Sequence, residues 1–236
     1  DLSSLLHAVT FLPQRPEGHF LLARYYERNK KWQEAYTQAS IGIMMAINSY
    51  NDPLPTYVEY EGLYCLLFEK AVAGWWLGQK DECKKLFDEF TQALVYTPGD
   101  NEWTDCHRVN NGRYDPLERL EKIRQLFFAA NESLGKHRLP LQTQSSQKSF
   151  ATFVENRRWS QGKVRFATLH LVGSNNNLQP GLPSSSEFAA REQANIAWMR
   201  ETFAEAKANK DEAVVLAMQA DTFFGEPRKG SGFVRW

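Results

Sequence analysis

Apolar residues recur at helical spacing over roughly the first 92 positions of the chain. After Pro16, the residues Phe20, Leu21, Ala23, Tyr25 and Tyr26 mark one stripe, and a polar turn, Arg28-Asn29-Lys30-Lys31, interrupts it. Trp32, Ala35, Tyr36, Ala39 and Ile43 then resume the same period, which predicts a helical hairpin. Tyr64, Leu67, Ala71 and Trp75, the turn from Leu77 to Asp81, and Cys83, Leu86, Phe87 and Phe90 predict a second one. Ala23 and Ala35 stand twelve positions apart, as do Ala71 and Cys83, with Ala39 and Phe87 four further on in each case. Small residues in that register let paired helices approach closely. Trp75, Trp76, Phe87 and Phe90 read as core. Two hairpins are fewer than the about three repeats a stable array needs, so they require something to pack against.

From about residue 93 the period changes. Residues 94–97, 164–172 and 213–217 read as strands, the last as a buried one, and residues 116–130 and 187–208 read as helices. This alternation predicts a parallel or mixed sheet covered by helices. The Ser-, Asn-, Gln- and Pro-rich stretches 142–148 and 174–186 read as surface loops. The expected architecture is therefore α plus α/β, with a helical-repeat region over 1–92 and a partial sheet over 93–236.

Each predicted strand runs out into a polar cluster. The first leads to Asp100, Asn101 and Glu102, with Asp105, Cys106 and His107 close behind. The second leads to His170 and then Gly173-Ser174-Asn175-Asn176-Asn177, and the third to Gln219 and Asp221. Strand ends in open α/β sheets are where ligand-binding side chains gather. Gly-Asp-Asn is also an ordinary turn sequence, and His107 and His137 read as solvated. Cys106 has no second cysteine nearby with which to form a zinc site, and Lys229-Gly230-Ser231-Gly232 lacks the spacing of a nucleotide loop.

Composition narrows the field. With 236 residues, 42% hydrophobic and 24% charged, the chain reads as an ordinary soluble globular protein. Lys plus Arg and Asp plus Glu both number 28, so no net charge draws it to nucleic acid or an anionic membrane. Three cysteines at unrelated spacings argue against a disulfide framework and point to a reducing, cytoplasmic setting. The opening Asp1-Leu2-Ser3-Ser4 lacks an initiator Met and a basic leader, which reads as a processed chain or a fragment.

Two resemblances follow from these residues. The hairpin register over residues 7–92 resembles the tetratricopeptide-type repeat, and more narrowly the helical segment found beside some glycosyltransferase domains. Its 48-residue offset exceeds the standard repeat of about 34, the surplus lying in residues 48–60. Such a region implies a protein partner on its concave face. The string from Gly99 through Asp100-Asn101-Glu102-Trp103-Thr104-Asp105-Cys106-His107 to Arg108 is the most distinctive part of the second resemblance. With Tyr114 to Leu120, Leu169 to Asn176 and Ala217 to Asp221, it resembles a bacterial branch of the calcineurin-like metallophosphoesterases over residues 94–225.

That resemblance implies a phosphate-ester substrate and divalent metal, Mn, Fe or Zn. Asp100, His170, Gln219 and Asp221 would be the metal ligands, while Asn101 and Asn175 would orient the phosphate. Asn101 stands where the family places a proton-donating His, and Gln219 is a weaker ligand than His. No Asp-X-His triplet occurs in residues 1–98, so the blocks that supply the bridging carboxylate are missing. The expectation is half an active site, joined to a helical region near residues 90–95 in a rearranged or recombined chain.

Overall fold

The computed structural model describes residues 1–48, 58–178 and 186–222. Parts of the long turn predicted over 48–60 and of the loop predicted over 174–186, and the Lys229–Gly232 stretch, lie outside the described residues. The chain forms two compact units. One contains residues 1–94 and 134–138, and the other contains residues 95–133 and 139–236. The predicted boundary falls at 92/93, but nothing in the pattern anticipates the return of residues 134–138 to the first unit.

The first unit is helical: α1 (Leu2–Phe11), α2 (Pro16–Arg28), α3 (Trp32–Asn48), α4 (Leu63–Trp76) and α5 (Lys80–Asp88). Pro16 opens α2 at a position where its missing N–H costs nothing. Asn29 closes that helix, its amide donating to the Tyr25 carbonyl, and Lys30 turns the chain left-handed into α3. The small residues at the predicted hairpin register, Ala23, Ala35, Ala39, Ala71 and Cys83, are all buried. The Cys83 thiol lies 3.1 Å from the Ala71 carbonyl, and a Cβ on Gly42 would sit 2.6 Å from Leu66 Cδ2. Backbones this close tolerate only small side chains. Of the four predicted core aromatics, Phe90 is buried, while Trp75, Trp76 and Phe87 are half-buried. Trp76 instead stacks on Trp32, with centroids 5.2 Å apart.

The strand predicted over 94–97 reduces to a single bridge, Leu94 to Leu134. Antiparallel pairing beyond Leu94 would call on residues 133 to 131, but Ser133 N donates to the Leu139 carbonyl and Glu132 bridges Pro140, so the ladder stops after one bridge.

The second unit holds α6 (Pro116–Phe127), capped by the Asp115 carboxylate, and a four-stranded sheet in the order β1-β2-β3-β4. The strands are β1 (Gln142–Thr143), β2 (Arg157–Gln161), β3 (Val164–Thr168) and β4 (Ala213–Ala217). Neighbours β1/β2 and β2/β3 are antiparallel, whereas β3 and β4 are parallel and linked through α7 (Ser186–Asn209). The architecture is thus mixed helix and sheet.

Two expectations are corrected. The 142–148 stretch is not all surface loop. It contains β1 and the fully buried Gln144, which donates to the Ala194 carbonyl. The 213–217 run is not buried: β4 is an edge strand among the described residues, and Val215 is 42% exposed. The strand β2 escaped notice because its Arg157 and Arg158 are polar yet buried. Arg158 lies 4.0 Å over the Trp198 ring of α7 and donates to Thr202 and Glu205. Arg158 and Arg165 face α7, so by strand alternation Trp159, Phe166 and Val215 lie side by side on the opposite face. The Trp159 and Phe166 rings stack there at 5.2 Å.

Candidate functional site

Backbone bonds from Leu169 N to Ala217 O and from Ala220 N to Leu171 O carry the parallel pairing past the ends of β3 and β4. The two chains then diverge, and Gly173 N donates to Gln219 Oε1 at 2.6 Å. Against this edge packs the 99–108 segment. A Cβ on Gly173 would lie 2.3 Å from Asp100 Oδ2, and one on Gly99 would lie 2.8 Å from Gln219 Cγ. Three separate stretches therefore meet at two glycines that leave no space for a side chain.

Beyond Gly173 the backbone takes an uncommon path. Ser174, Asn175, Asn176 and Asn177 all have positive φ, between 49° and 61°. Left-handed backbone is disfavoured for L-residues, least so for Asn, so a run of four needs external support. The support is visible. The Asn176 carbonyl oxygens, side-chain and backbone, both accept from the buried Arg191 guanidinium. Asn175 Nδ2 donates to Leu178 O, and Asn177 Nδ2 donates to Glu187.

Ser174 Oγ sits between two carboxylates, 3.1 Å from Asp100 Oδ2 and 2.5 Å from Asp105 Oδ1. One hydroxyl proton serves only one of them at a time. Arg108 compensates, pairing with Asp105 Oδ2 at 2.7 Å and donating to Ser174 Oγ at 3.3 Å. Glu102 turns inward and accepts from the Gly99 amide at 2.7 Å. Burial pushes its carboxyl pKa up, and the Gly99 and Glu102 amides pull it back.

Of the six residues singled out by sequence, Asp100 and Gln219 meet at Gly173. Asn101 is exposed beside Asp100, Asn175 is half-buried, and Asp221 is exposed past the end of β4. His170 lies elsewhere in character: it is fully buried, and its ring packs against Trp103 with centroids 5.3 Å apart. Its Nδ1 is 3.8 Å from the buried Glu155 carboxylate, which pairs with Arg124 at 2.6 Å. Burial drives the His170 pKa well down, and the Arg191 and Arg124 charges add to that. A ring enclosed by an indole and flanked by two guanidiniums is a poor place for a cation.

Among the described residues no group of three or more His, Cys, Asp or Glu side chains is placed to hold a metal ion. The donor set implied by the phosphoesterase resemblance therefore does not fit a metal as arranged here. Sequence reasoning placed Ser174 and Arg108 in the right polar stretches but did not single them out as partners of Asp100 and Asp105; the available signal was Arg108 standing three positions after Asp105. Compared with protein-family models, curated proteins and solved structures, the chain matches none. No described helix is long and apolar enough to cross a membrane.

Proposed function

We propose that the second unit is a metallophosphoesterase-like hydrolase unit whose catalytic centre is incomplete in this chain. Its ligand-facing edge is the cluster of Asp100, Asn101, Ser174 and Gln219. The observation that carries the reading is the left-handed turn 174–177, held against Asp100 at the ends of two parallel strands. Strained backbone fixed by several partners is characteristic of ligand-handling loops. The open sheet face of Trp159, Phe166 and Val215 agrees with it, since this family buries such a face in a sheet sandwich. The divalent ion would supply an activated water in a complete member. Here Asp100 and Ser174 hold the edge in shape, and no step is assigned to the ion.

The test is metal analysis together with hydrolysis of p-nitrophenyl phosphate and bis-p-nitrophenyl phosphate in Mn, Fe or Zn. An incomplete centre gives substoichiometric metal and no turnover that Asp100→Ala removes. Stoichiometric metal with Asp100-dependent turnover would show the centre to be complete.

A second reading concerns the first unit, as a tetratricopeptide-like module that holds a protein partner. A groove of about 560 Å³ between α2 and α4, lined by Phe20, Tyr64, Phe68 and Val72, favours it. Nothing in the fold favours an accessory role beside a glycosyltransferase over this plainer one.

A further inference from the structure

The groove between α2 and α4 has an apolar floor with one acid set into it. Phe20 is buried and Phe68 is 52% exposed, so the walls are apolar and open to a ligand. Glu69, on α4, lines the same groove and is only 6% exposed. Its carboxylate makes no hydrogen bond or ion pair among the described residues. A carboxylate set between apolar walls and left without a protein partner can receive a group of opposite charge from a ligand in the groove.

The surrounding charge indicates which group. The lining includes four carboxylates, Glu27, Glu59, Glu61 and Glu69, against two guanidiniums, Arg24 and Arg28. Arg24 is committed to Glu59 at 2.7 Å, and Glu61 accepts from the Tyr64 hydroxyl. A cation is thus favoured over an anion, and the aromatic and aliphatic walls suit an alkyl stem leading to it.

We propose that this groove binds a lysine side chain of a basic partner peptide, its methylenes lying along Phe20, Phe68 and Val72 and its ammonium reaching Glu69. The proposal rests on reading the first unit as a partner-binding module and names the chemistry of that partner. Burial, and then the Glu27 charge, pushes the Glu69 carboxyl up to about 7, with Arg24 and Arg28 opposing. Tyr64 and Cys65 also line the groove beside it. Because the ammonium needs the ionised carboxylate, binding tightens as pH rises through that value.

The experiment uses the whole 236-residue chain, observed by amide chemical shifts. The probes are an acetylated, amidated Leu-Lys-Leu peptide, the same peptide with acetyl-lysine, and n-hexylammonium as competitor. The lysine peptide is expected to shift the Phe68, Glu69 and Arg24 amides and to bind several-fold more tightly at pH 8 than at pH 6. Hexylammonium should displace it, and Glu69→Gln should weaken it at least about tenfold. Equal binding of the acetyl-lysine peptide, or an unchanged affinity in Glu69→Gln, overturns the cation assignment while leaving a groove that holds peptides. No shift at α2 or α4 with any probe overturns both.

Discussion

Asp100 and Gly173, 73 positions apart in sequence, are packed so closely that a single added carbon on Gly173 would meet the Asp100 carboxylate at 2.3 Å. The residue Gly173 is thus explained by approach, not by backbone angle, since it is absent from the left-handed set that begins at Ser174. Substituting Gly173→Ala forces Asp100 from its place beside Ser174 and is expected to cost about 1–3 kcal/mol by overpacking. Urea unfolding of the variant, followed by the fluorescence of the buried Trp103 and Trp198, measures it. A cost below about 0.5 kcal/mol would mean that the 99–108 segment does not rest against this edge.

The Asp105–Ser174–Arg108 triangle makes a second prediction. Asp105 is 4% exposed and shares its charge between a hydroxyl and a guanidinium. Arg108→Ala leaves a buried carboxylate with Ser174 alone and is expected to destabilise by about 1–3 kcal/mol. The partner change Asp105→Asn removes the charge that needs neutralising, so the double variant should recover part of that loss. A double-mutant cycle reads the coupling; additive effects would show that the pair is merely adjacent.

Arg191 is the strongest candidate for a single residue on which the second unit depends. It is fully buried and donates to Glu187, Asn176 and the His170 carbonyl, with its guanidinium 5.2 Å from the Trp103 ring. Arg191→Ala leaves the Glu187 charge without its cation and removes the brace of the left-handed turn, and about 3–5 kcal/mol should be lost. Arg191→Lys keeps the charge without the planar fork and should restore only part of it. Hydrogen exchange at residues 173–177 reports the same event locally: exchange should accelerate in Arg191→Ala well before global unfolding.

The helical hairpins were legible because their signal is periodic. Ala23, Ala35, Ala39, Ala71 and Cys83 repeat at helical spacing, and all are buried. Helix 116–127 was legible for the same reason, whereas the buried stripe of 186–209 includes Arg191, Asn195 and Thr202 and carries little apolar periodicity, and β4 was legible as a short apolar run. Two kinds of feature were not. Strand β2 carries buried arginines whose partners lie far along the chain, the Ala130 and Glu132 carbonyls for Arg157 and Thr202 and Glu205 for Arg158, so no local pattern marks the strand as half-buried. At the candidate site, Asp100 and Gln219 were legible as polar residues following apolar runs. His170 carried the same signal, yet its side chain points into the core, where Trp103, Glu155 and two arginines meet it. Residues 169–172 are all fully buried, so nothing in the local alternation marks His170 as core and not rim.

Glu69 makes the pH-dependent prediction. Its carboxyl is held at about 7 in the folded chain, above the ordinary value near 4.5. The folded state therefore holds a proton that the unfolded state releases as pH rises, and stability from this group is intact below about 4.5 and lost progressively up to about 7. Glu69→Gln abolishes that loss. The variant should match the parent chain at pH 4 and exceed it at pH 8 by about 1–2 kcal/mol, a figure discounted for solvent at the groove mouth. Denaturant titrations at the two pH values measure the difference. Equal stability at both would place the Glu69 carboxylate in water. A gain confined to pH 8 would mean that the chain tolerates an unpaired acid in an apolar groove at a cost to its own stability, as expected of a group retained for binding.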